Sequence, residues 1–283
     1  MYQNDVFLRF PGGLEKCATF SYDDSDKTNI KLVEIFNKYN LKGTFNLNAG
    51  FFEDEAAGDD RRYMKPSEVR GLFKDSPHEV AVHGHTHPFL DLLPDGVAAY
   101  EIIKDRECLE EIVQKPVVGM AYPNGPVTAE KEYNIRIRQL LRQCGIRYAR
   151  RTEKAEYFRL PEDWLNMPVT CHHNDPELMD LAHAFAERKV DRIPRLFYVW
   201  GHSFEFEIQN NWDVIKNLAR YLTSFEDIWF ATNIEIYDYV AAYKNLRFSA
   251  NGKLVYNPSA TVVYIMKNQK TYEIKPNDIL YIG

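Results

Sequence analysis

Cysteine is scarce in this sequence of 283 residues, and its four copies do not form pairs. They are Cys17, Cys108, Cys144 and Cys171. Because no CxxC pair and no zinc-finger spacing occurs, neither a disulfide framework nor a cysteine-bound structural zinc is expected. Glycine and proline, 14 copies each, are too few for a collagen-like or low-complexity chain. With 45% apolar residues, the chain is long enough to bury a sizeable core.

Long apolar runs and clusters of basic residues are also missing. The net charge is -6, and without a basic stripe to track phosphates a nucleic acid is not an expected partner. No uncharged segment is long enough to cross a bilayer, so no membrane partner is expected. The N-terminus carries Asp5 and Arg9 and lacks the apolar stretch of a signal peptide. We therefore expect a soluble, cytoplasmic protein, although a chain trimmed of an export signal would look the same.

Short apolar segments alternate with amphipathic ones over most of the chain. The predicted strands are 18–22, 44–47, 79–82, 117–122, 167–171, 196–200 and 228–231, with one more near Ile146. Apolar residues at helical spacing occur around 32–39, 95–113, 137–144, 178–185 and 215–222. Seven or eight such repeats predict an α/β fold with parallel strands, either closed as a barrel or open as a doubly wound sheet.

After about Asn245 the pattern changes to period-2 strands with turn signals. Asn251-Gly252 lies between two such strands, which is a strong hairpin signal. Residues 262–266 and 271–274 flank a polar turn and suggest a second hairpin. We predict a barrel over 1–245 and a small β extension over 246–283 that packs on it.

Polar residues follow two of the predicted strands directly. Asp23 and Asp24 are adjacent carboxylates that repel each other unless a cation or hydrogen-bond donors hold them, although a solvated turn is the simpler interpretation. Three histidines occur in the five residues after strand 79–82. If this segment turns helically, His83 and His87 can reach one cation while His85 points elsewhere; if it is extended, all three face one side. We favour the pair, which a carboxylate from the Asp23-Asp24 turn would complete.

Two further loops follow predicted strands in the same way. They are 122–125, with the sequence Tyr-Pro-Asn-Gly, and 201–203, with Gly-His-Ser. Chemistry collected after several parallel strands is typical of a β/α barrel, whose sites lie at the carboxyl ends of its strands. This position makes His202 a candidate functional residue.

These motifs resemble those of a known family. Tyr22-Asp23-Asp24-Ser25, His83-x-x-x-His87-Pro88, Tyr122-Pro123-Asn124-Gly125 and Gly201-His202 occur in the order and approximate spacing of the polysaccharide deacetylases, the NodB-homology domain of carbohydrate esterase family 4. The resemblance covers roughly residues 15–240. It implies a distorted (β/α)7 barrel and metal-dependent hydrolysis of N-acetyl groups from an oligo- or polysaccharide that contains amino sugars.

The resemblance also assigns roles to residues. Asp23 matches the general base, His202 the general acid, and Asn124 the position of the oxyanion-hole backbone N–H. Asp24, His83 and His87 match the ligands of one divalent ion, for which Zn²⁺ is expected and Ni²⁺, Co²⁺, Mn²⁺ and Fe²⁺ are alternatives. The candidate substrate contacts are Tyr122, Pro123, Trp164, His172 and His173. Asp163 matches the aspartate that tunes the acid, although it can equally be a turn cap, and the two adjacent histidines can equally be packing residues.

The sequence departs from the family pattern at several positions. Ser25 replaces a glycine and Gly84 a serine or threonine, while Ala121 stands where an arginine usually supports the base and Asn124 replaces a tyrosine. One alternative function is therefore hydrolysis of another non-peptide C–N bond, such as a cyclic amide. A carbohydrate-binding protein that has lost turnover is a second alternative, which the retained Asp23 and His202 argue against.

Overall fold

The computed structural model describes residues 5–125, 131–189 and 192–283. The strands in chain order are β1 (Val6–Arg9), β2 (Lys16–Asp23), β3 (Gly43–Leu47), β4 (Glu79–Val82), β5 (Gly119–Ala121), β6 (Tyr148–Lys154), β7 (Met167–Val169), β8 (Cys171–His172), β9 (Arg195–His202), β10 (Ile228–Phe230), β11 (Arg247–Phe248), β12 (Leu254–Tyr256), β13 (Val263–Lys267), β14 (Lys270–Ile274) and β15 (Ile279–Tyr281). The α-helices are α1 (Asn29–Lys38), α2 (Pro66–Phe73), α3 (Asp95–Val113), α4 (Lys131–Gln143), α5 (Leu178–Ala186), α6 (Ser203–Ile208), α7 (Asp213–Leu222) and α8 (Asn233–Lys244).

Eight parallel strands form a nearly closed barrel. Their order is β7-β6-β5-β4-β3-β2-β9-β8, and β10 pairs with the first half of β2. Only Thr170 separates β7 from β8, and its amide donates to the carbonyl of Tyr198 in β9 at 2.8 Å. The chain thus leaves β6 and joins β9, which brings the two edges of the sheet together. This confirms the predicted (β/α) barrel and decides against an open doubly wound sheet.

The barrel core lies between strands and helices. Helix α1 buries one face, with Leu32 and Phe36 fully covered, and Phe36 packs on Phe20 and Phe45 of the strands beneath it. Strand β2 is the most enclosed element, because β3 and β9 flank it and all eight of its residues are buried. This enclosure matters for function, since β2 ends at Asp23.

Most predicted elements form close to their predicted positions. The strand predicted over 167–171 is divided into β7 and β8, and α5 begins at Leu178, the first residue of the apolar pattern over 178–185. Strand β1 and helices α2, α6 and α8 were not predicted. Helix α6 begins at Ser203, immediately after His202, where the sequence had suggested a loop.

The C-terminal segment forms both predicted hairpins. Strand β11 pairs with β12 and β13 pairs with β14, in each case antiparallel. The structure adds that β13 also pairs with β1, so the first described strand lies in the same small sheet. The division at residue 245 remains a prediction. None of the helices in the described ranges is both long and apolar enough to span a membrane.

Candidate active site

Two imidazoles and one carboxylate converge at the carboxyl ends of β2 and β4. The Nε2 atoms of His83 and His87 are 3.2 Å apart, and Asp24 Oδ1 lies 3.8 Å from the first and 3.7 Å from the second. A turn, and not the helical turn considered above, brings the two histidines together. His87 donates its amide to Gly84 O, and both residues have positive φ, 56° and 75°.

The hydrogen bonds of His83 fix which ring nitrogen faces this group. Its Nδ1 lies 2.9 Å from the carbonyl oxygen of Ala121, which can only accept, so Nδ1 carries the hydrogen. Nε2 is then left with a free lone pair directed toward Asp24 and His87. Burial lowers the pKa of His83, which keeps the ring neutral. His85 points away, with Nδ1 4.0 Å from Asp105.

Ser25 and Asn48 connect the turn after β2 to the histidine loop. The Ser25 hydroxyl donates to Asn48 O at 3.0 Å and accepts from Asn48 N at 2.9 Å. The amide group of Asn48 in turn donates to the carbonyls of His83 and Gly84, both at 2.7 Å. Serine at position 25 thus connects the β2 turn to the histidine loop, a contact that a glycine at this position could not make.

Asp23 is buried between two partners. Asn46 Nδ2 donates to its Oδ1 at 2.8 Å, and Arg150 of β6 forms an ion pair with Oδ2. Burial by itself raises the pKa of Asp23, but the charge of Arg150, together with that of His202, outweighs burial and holds it below its usual value. The carboxylate is therefore ionised.

Arg150 is a functional candidate that the sequence did not reveal. It pairs in register with Ala121, the position where the family usually has its arginine, so the guanidinium comes from the neighbouring strand. Its Cζ lies 4.7 Å from the centre of the Trp200 ring. A strand was predicted only near Ile146, and no local spacing connects residue 150 with residue 23.

The loop after β5 packs against the histidine loop. Asn124 has a φ of 58°, and its side chain donates to His87 O at 3.0 Å, while a Cβ added to Gly84 would lie 3.4 Å from Pro123. The Tyr122 hydroxyl donates to Leu165 O at 2.8 Å. Pro123 and Asn124 therefore lie beside the histidine loop, whereas the Tyr122 hydroxyl contacts the turn that contains Leu165. A substrate contact through Tyr122 or Pro123 and an oxyanion contact through Asn124 stay predictions.

His202 lies next to Asp23, because the two are register partners at the ends of β9 and β2. Its Nδ1 is 3.3 Å from Oε1 of Glu205, in the first turn of α6. Burial lowers the pKa of His202, but Glu205, Asp23 and Asp24 outweigh burial and raise it. The spacing of a histidine and a glutamate three residues later would have indicated this contact, had the helix start been recognised.

His172 and His173 lie on the other side of Glu205. Their Nε2 atoms are 3.2 and 3.0 Å from its Oε2. The His173 ring is fully buried and stacks between Tyr22 and Phe206, so it cannot contact substrate, contrary to one of the two expectations. His172 is one quarter exposed and packs on Trp200 with ring centres 4.6 Å apart.

Asp163 and Trp164 are not brought to these residues. Asp163 caps the short 3₁₀ turn that follows it, accepting from Leu165 N at 3.0 Å, and forms an ion pair with Arg138. The expected tuning of His202 by Asp163 is therefore replaced by the contact with Glu205. Trp164 packs edge-on against Tyr237 and lines a surface cavity that contains none of the three candidate metal ligands. The tryptophan beside His202 is Trp200, with ring centres 5.7 Å apart.

The fold is shared with solved structures that differ widely in sequence. A Mycobacterium smegmatis protein classed as a polysaccharide deacetylase is 16% identical, with a TM-score of 0.59 over 84% of this chain and 94% of its own. A Pseudomonas aeruginosa PAO1 protein of the same class is 14% identical, with a TM-score of 0.62 over 81% and 92%. The Puue allantoinase is 13% identical, with a TM-score of 0.61 over 81% and 91%.

Sequence comparison finds a family match over part of the chain. No curated protein sequence matches the chain. Residues 12–149, just under half of it, match the family model described as polysaccharide deacetylase. That range contains β2, the histidine loop and the loop after β5, and the solved structures extend the match in fold to the rest of the barrel. Residues 12–149 thus match the polysaccharide deacetylase family, and the barrel as a whole has the fold of two solved structures of that class.

Proposed function

We propose that this protein is a metal-dependent hydrolase that removes N-acetyl groups from an amino-sugar-containing oligo- or polysaccharide. The observation that carries the proposal is the arrangement of two distinct sets of groups at one end of the barrel. One set, Asp24, His83 and His87, can bind a cation. The other set, Asp23 and His202, offers a base and an acid on adjacent strands.

The three candidate ligands fit a divalent cation. Their donor atoms lie 3.2–3.8 Å apart, and the tautomer of His83 leaves Nε2 free to coordinate. Two imidazoles and one carboxylate are a common catalytic zinc set that leaves positions open for water and substrate. The chemistry that a divalent cation supplies in such a set is Lewis-acid activation of water and of the substrate carbonyl.

The remaining steps belong to side chains of this chain. Asp23, ionised and held by Arg150, accepts the proton of the attacking water. His202, with Nδ1 held by Glu205, donates a proton from Nε2 to the nitrogen as the C–N bond breaks. The backbone N–H of Asn124 is the candidate donor to the developing oxyanion. Trp200 and Tyr122 are the candidate sugar contacts.

Release of acetate from N-acetylated hexosamine oligomers, measured with added Zn²⁺ and with a chelator, tests this function. Acetate release that the chelator abolishes supports it, and no release with any of the five candidate metals contradicts it. His202→Ala adds a finer test, because an amine leaves poorly unprotonated whereas a phenolate leaves readily. The variant should lose far more activity on the amide than on an aryl acetate. Equal losses would show that His202 positions the substrate or metal instead.

A cyclic amide is the second candidate substrate. The similarity in fold to the Puue allantoinase is comparable to that of the two polysaccharide deacetylase structures, and Ala121 departs from the deacetylase pattern. Assaying allantoin and related cyclic amides beside the N-acetylated sugars separates the two. Turnover of only the cyclic amides would replace the first proposal with the second.

A further inference from the structure

The carboxylate of Glu205 contacts four side-chain nitrogen atoms, and only one of them belongs to His202. Oε1 faces His202 Nδ1 at 3.3 Å, while Oε2 faces His172 Nε2 at 3.2 Å, His173 Nε2 at 3.0 Å and Asn174 Nδ2 at 3.2 Å. Asn174 is itself held, because its Oδ1 accepts from Asn211 at 3.2 Å. Oε2 thus accepts one hydrogen bond, from Asn174, and has two imidazole nitrogens at ion-pair distance, while Oε1 has the single contact with His202.

Two histidines and a glutamate at these distances resemble a second metal group, but the tautomer of His172 argues against one. The amide of Asn174 donates to His172 Nδ1 at 3.1 Å, so this nitrogen has no hydrogen and the neutral ring carries it at Nε2. That hydrogen lies on the nitrogen 3.2 Å from Glu205 Oε2, and a metal would need this nitrogen without its hydrogen. His83 shows the opposite arrangement, with Nδ1 as the donor and Nε2 free.

The charge state of Glu205 supports the same interpretation. Burial raises the pKa of Glu205, but the contacts with His172, His173 and His202 outweigh burial and hold it well below its usual value. An ionised carboxylate only accepts hydrogen bonds, so the hydrogen between Oε1 and His202 belongs to Nδ1 of the histidine. His202 Nε2 is then the nitrogen available for proton exchange with substrate.

We propose that Glu205 positions His202, and that the hydrogen bond from Asn174 and the two imidazole contacts on Oε2 influence catalysis only by fixing the rotamer of this carboxylate. The proposal rests on the role of His202 in the proposed function. Each contact on Oε2 restricts rotation of the carboxyl group, which keeps Oε1 aimed at His202 Nδ1. His172 is then a positioning residue and not a substrate contact, even though part of its ring is exposed.

Two substitutions of His172 separate its contact with Glu205 through Nε2 from its hydrogen bond with Asn174 through Nδ1. Gln places an amide N–H near the imidazole Nε2 position and keeps the donor to Glu205, whereas Asn places its amide near Nδ1 and loses that donor. We expect His172→Asn to lower kcat more than His172→Gln, with KM changing less than kcat. Glu205→Gln should lower kcat roughly 10²-fold, the loss that a displacement of about 1 Å can cause. In the Glu205→Gln background the two His172 variants should become equal.

Asp163→Asn is the matched control. It also removes a carboxylate charge, but this carboxylate contacts Arg138 and the amide of Leu165, outside the cluster around Glu205. It should leave kcat and KM unchanged. A difference between the two His172 variants that persists with Glu205→Gln, or that lies in KM alone, would show that His172 binds substrate and would overturn the proposal.

Two measurements on the whole protein need no substrate. Nitrogen NMR of the imidazoles, at a pH high enough for the rings to be neutral and with and without Zn²⁺, should show His202 with its hydrogen on Nδ1 and His172 with its hydrogen on Nε2, and Glu205→Gln should mix the tautomers of His202. An unchanged His202 signal in that variant overturns the proposal. Zinc titration should saturate at one ion per chain. A second ion that Glu205→Gln removes would instead make the cluster a metal site. If the parent protein shows these NMR signals but releases no acetate, the proposed function is contradicted, whereas the positioning of His202 by Glu205 is not.

Discussion

Arg150 offers the sharpest test of the site, because it is the partner of a buried carboxylate. Asp23 and Arg150 are 3% and 1% exposed. Arg150→Met keeps most of the packed stem and removes the charge, which leaves Asp23 with Asn46 as its remaining neutral donor. Breaking a buried ion pair from one side typically costs about 3–5 kcal/mol of unfolding free energy.

Protonation limits this cost. Keeping a carboxyl group neutral above its usual pKa of about 3.9 costs about 1.4 kcal/mol for each pH unit. At pH 7 this cost is about 4 kcal/mol. In the parent the folded-state pKa of Asp23 is lowered, so its stabilising contribution is present at neutral pH and is lost as the pH falls. In Arg150→Met the folded-state pKa is raised, so the penalty grows with pH. The difference between the two proteins should therefore be about 4 kcal/mol at pH 7 and about 1–2 kcal/mol at pH 5.

Urea unfolding at both pH values, with a chelator present so that no cation replaces the guanidinium, measures this difference. The exchange Ala121→Arg with Arg150→Ala is the matched variant, since the two positions are register partners and their side chains lie on the same face. It should recover part of the loss by restoring the family's usual arrangement. A loss that is the same at pH 5 and pH 7 would refute the electrostatic reasoning and assign the effect to packing.

Three further predictions concern other groups. His83→Ala should remove the metal while His85→Ala retains it, as elemental analysis will show; full occupancy in the first variant would exclude His83 as a ligand. Asp23→Asn should keep the metal and lower kcat by roughly 10²–10⁴, the usual effect of losing a general base, and metal loss would reassign Asp23 as a ligand. Glu79 accepts from Tyr148, Thr44 and Ile234, and burial raises its pKa to about 7. Because the folded-state pKa lies above the unfolded one, this contribution to stability is lost as the pH rises from about 4.5 through 7, by at most about 3 kcal/mol. Glu79→Gln should flatten that part of the stability profile measured by urea unfolding; an unchanged slope would contradict the assignment.

The elements that the sequence predicted share one property, which is a local signal. Helix α1 shows its apolar face at i, i+3, i+4 spacing, and the histidine loop presents three imidazoles within five residues. Helix α8 was missed because apolar residues occur on most of its faces, so the sequence shows no single apolar stripe; the barrel and the C-terminal sheet both contact this helix. Helix α6 was missed because it begins without a connecting loop after β9.

The residues that the sequence could not place depend on pairing between distant segments. Arg150 reaches Asp23 only because β6 pairs with β5 in a register that sets it beside Ala121. Asp163 and Trp164 matched a family motif by order, but they precede β7 and pack near Arg138 and Tyr237. Order along the chain is not enough to position a side chain whose strand pairing is unknown.

The pairing of β1 with β13 has a consequence for the folding reaction. Leu8 is the register partner of Ile265, some 250 residues later, whereas the pairings of β2 with β3 and of β3 with β4 join neighbours close in sequence. Contacts of such long range close a large loop and form late, because their entropic cost precedes any stabilisation. We therefore expect strand β1 to remain unpaired while the barrel assembles. Its amides should be among the last to gain protection from hydrogen exchange during refolding.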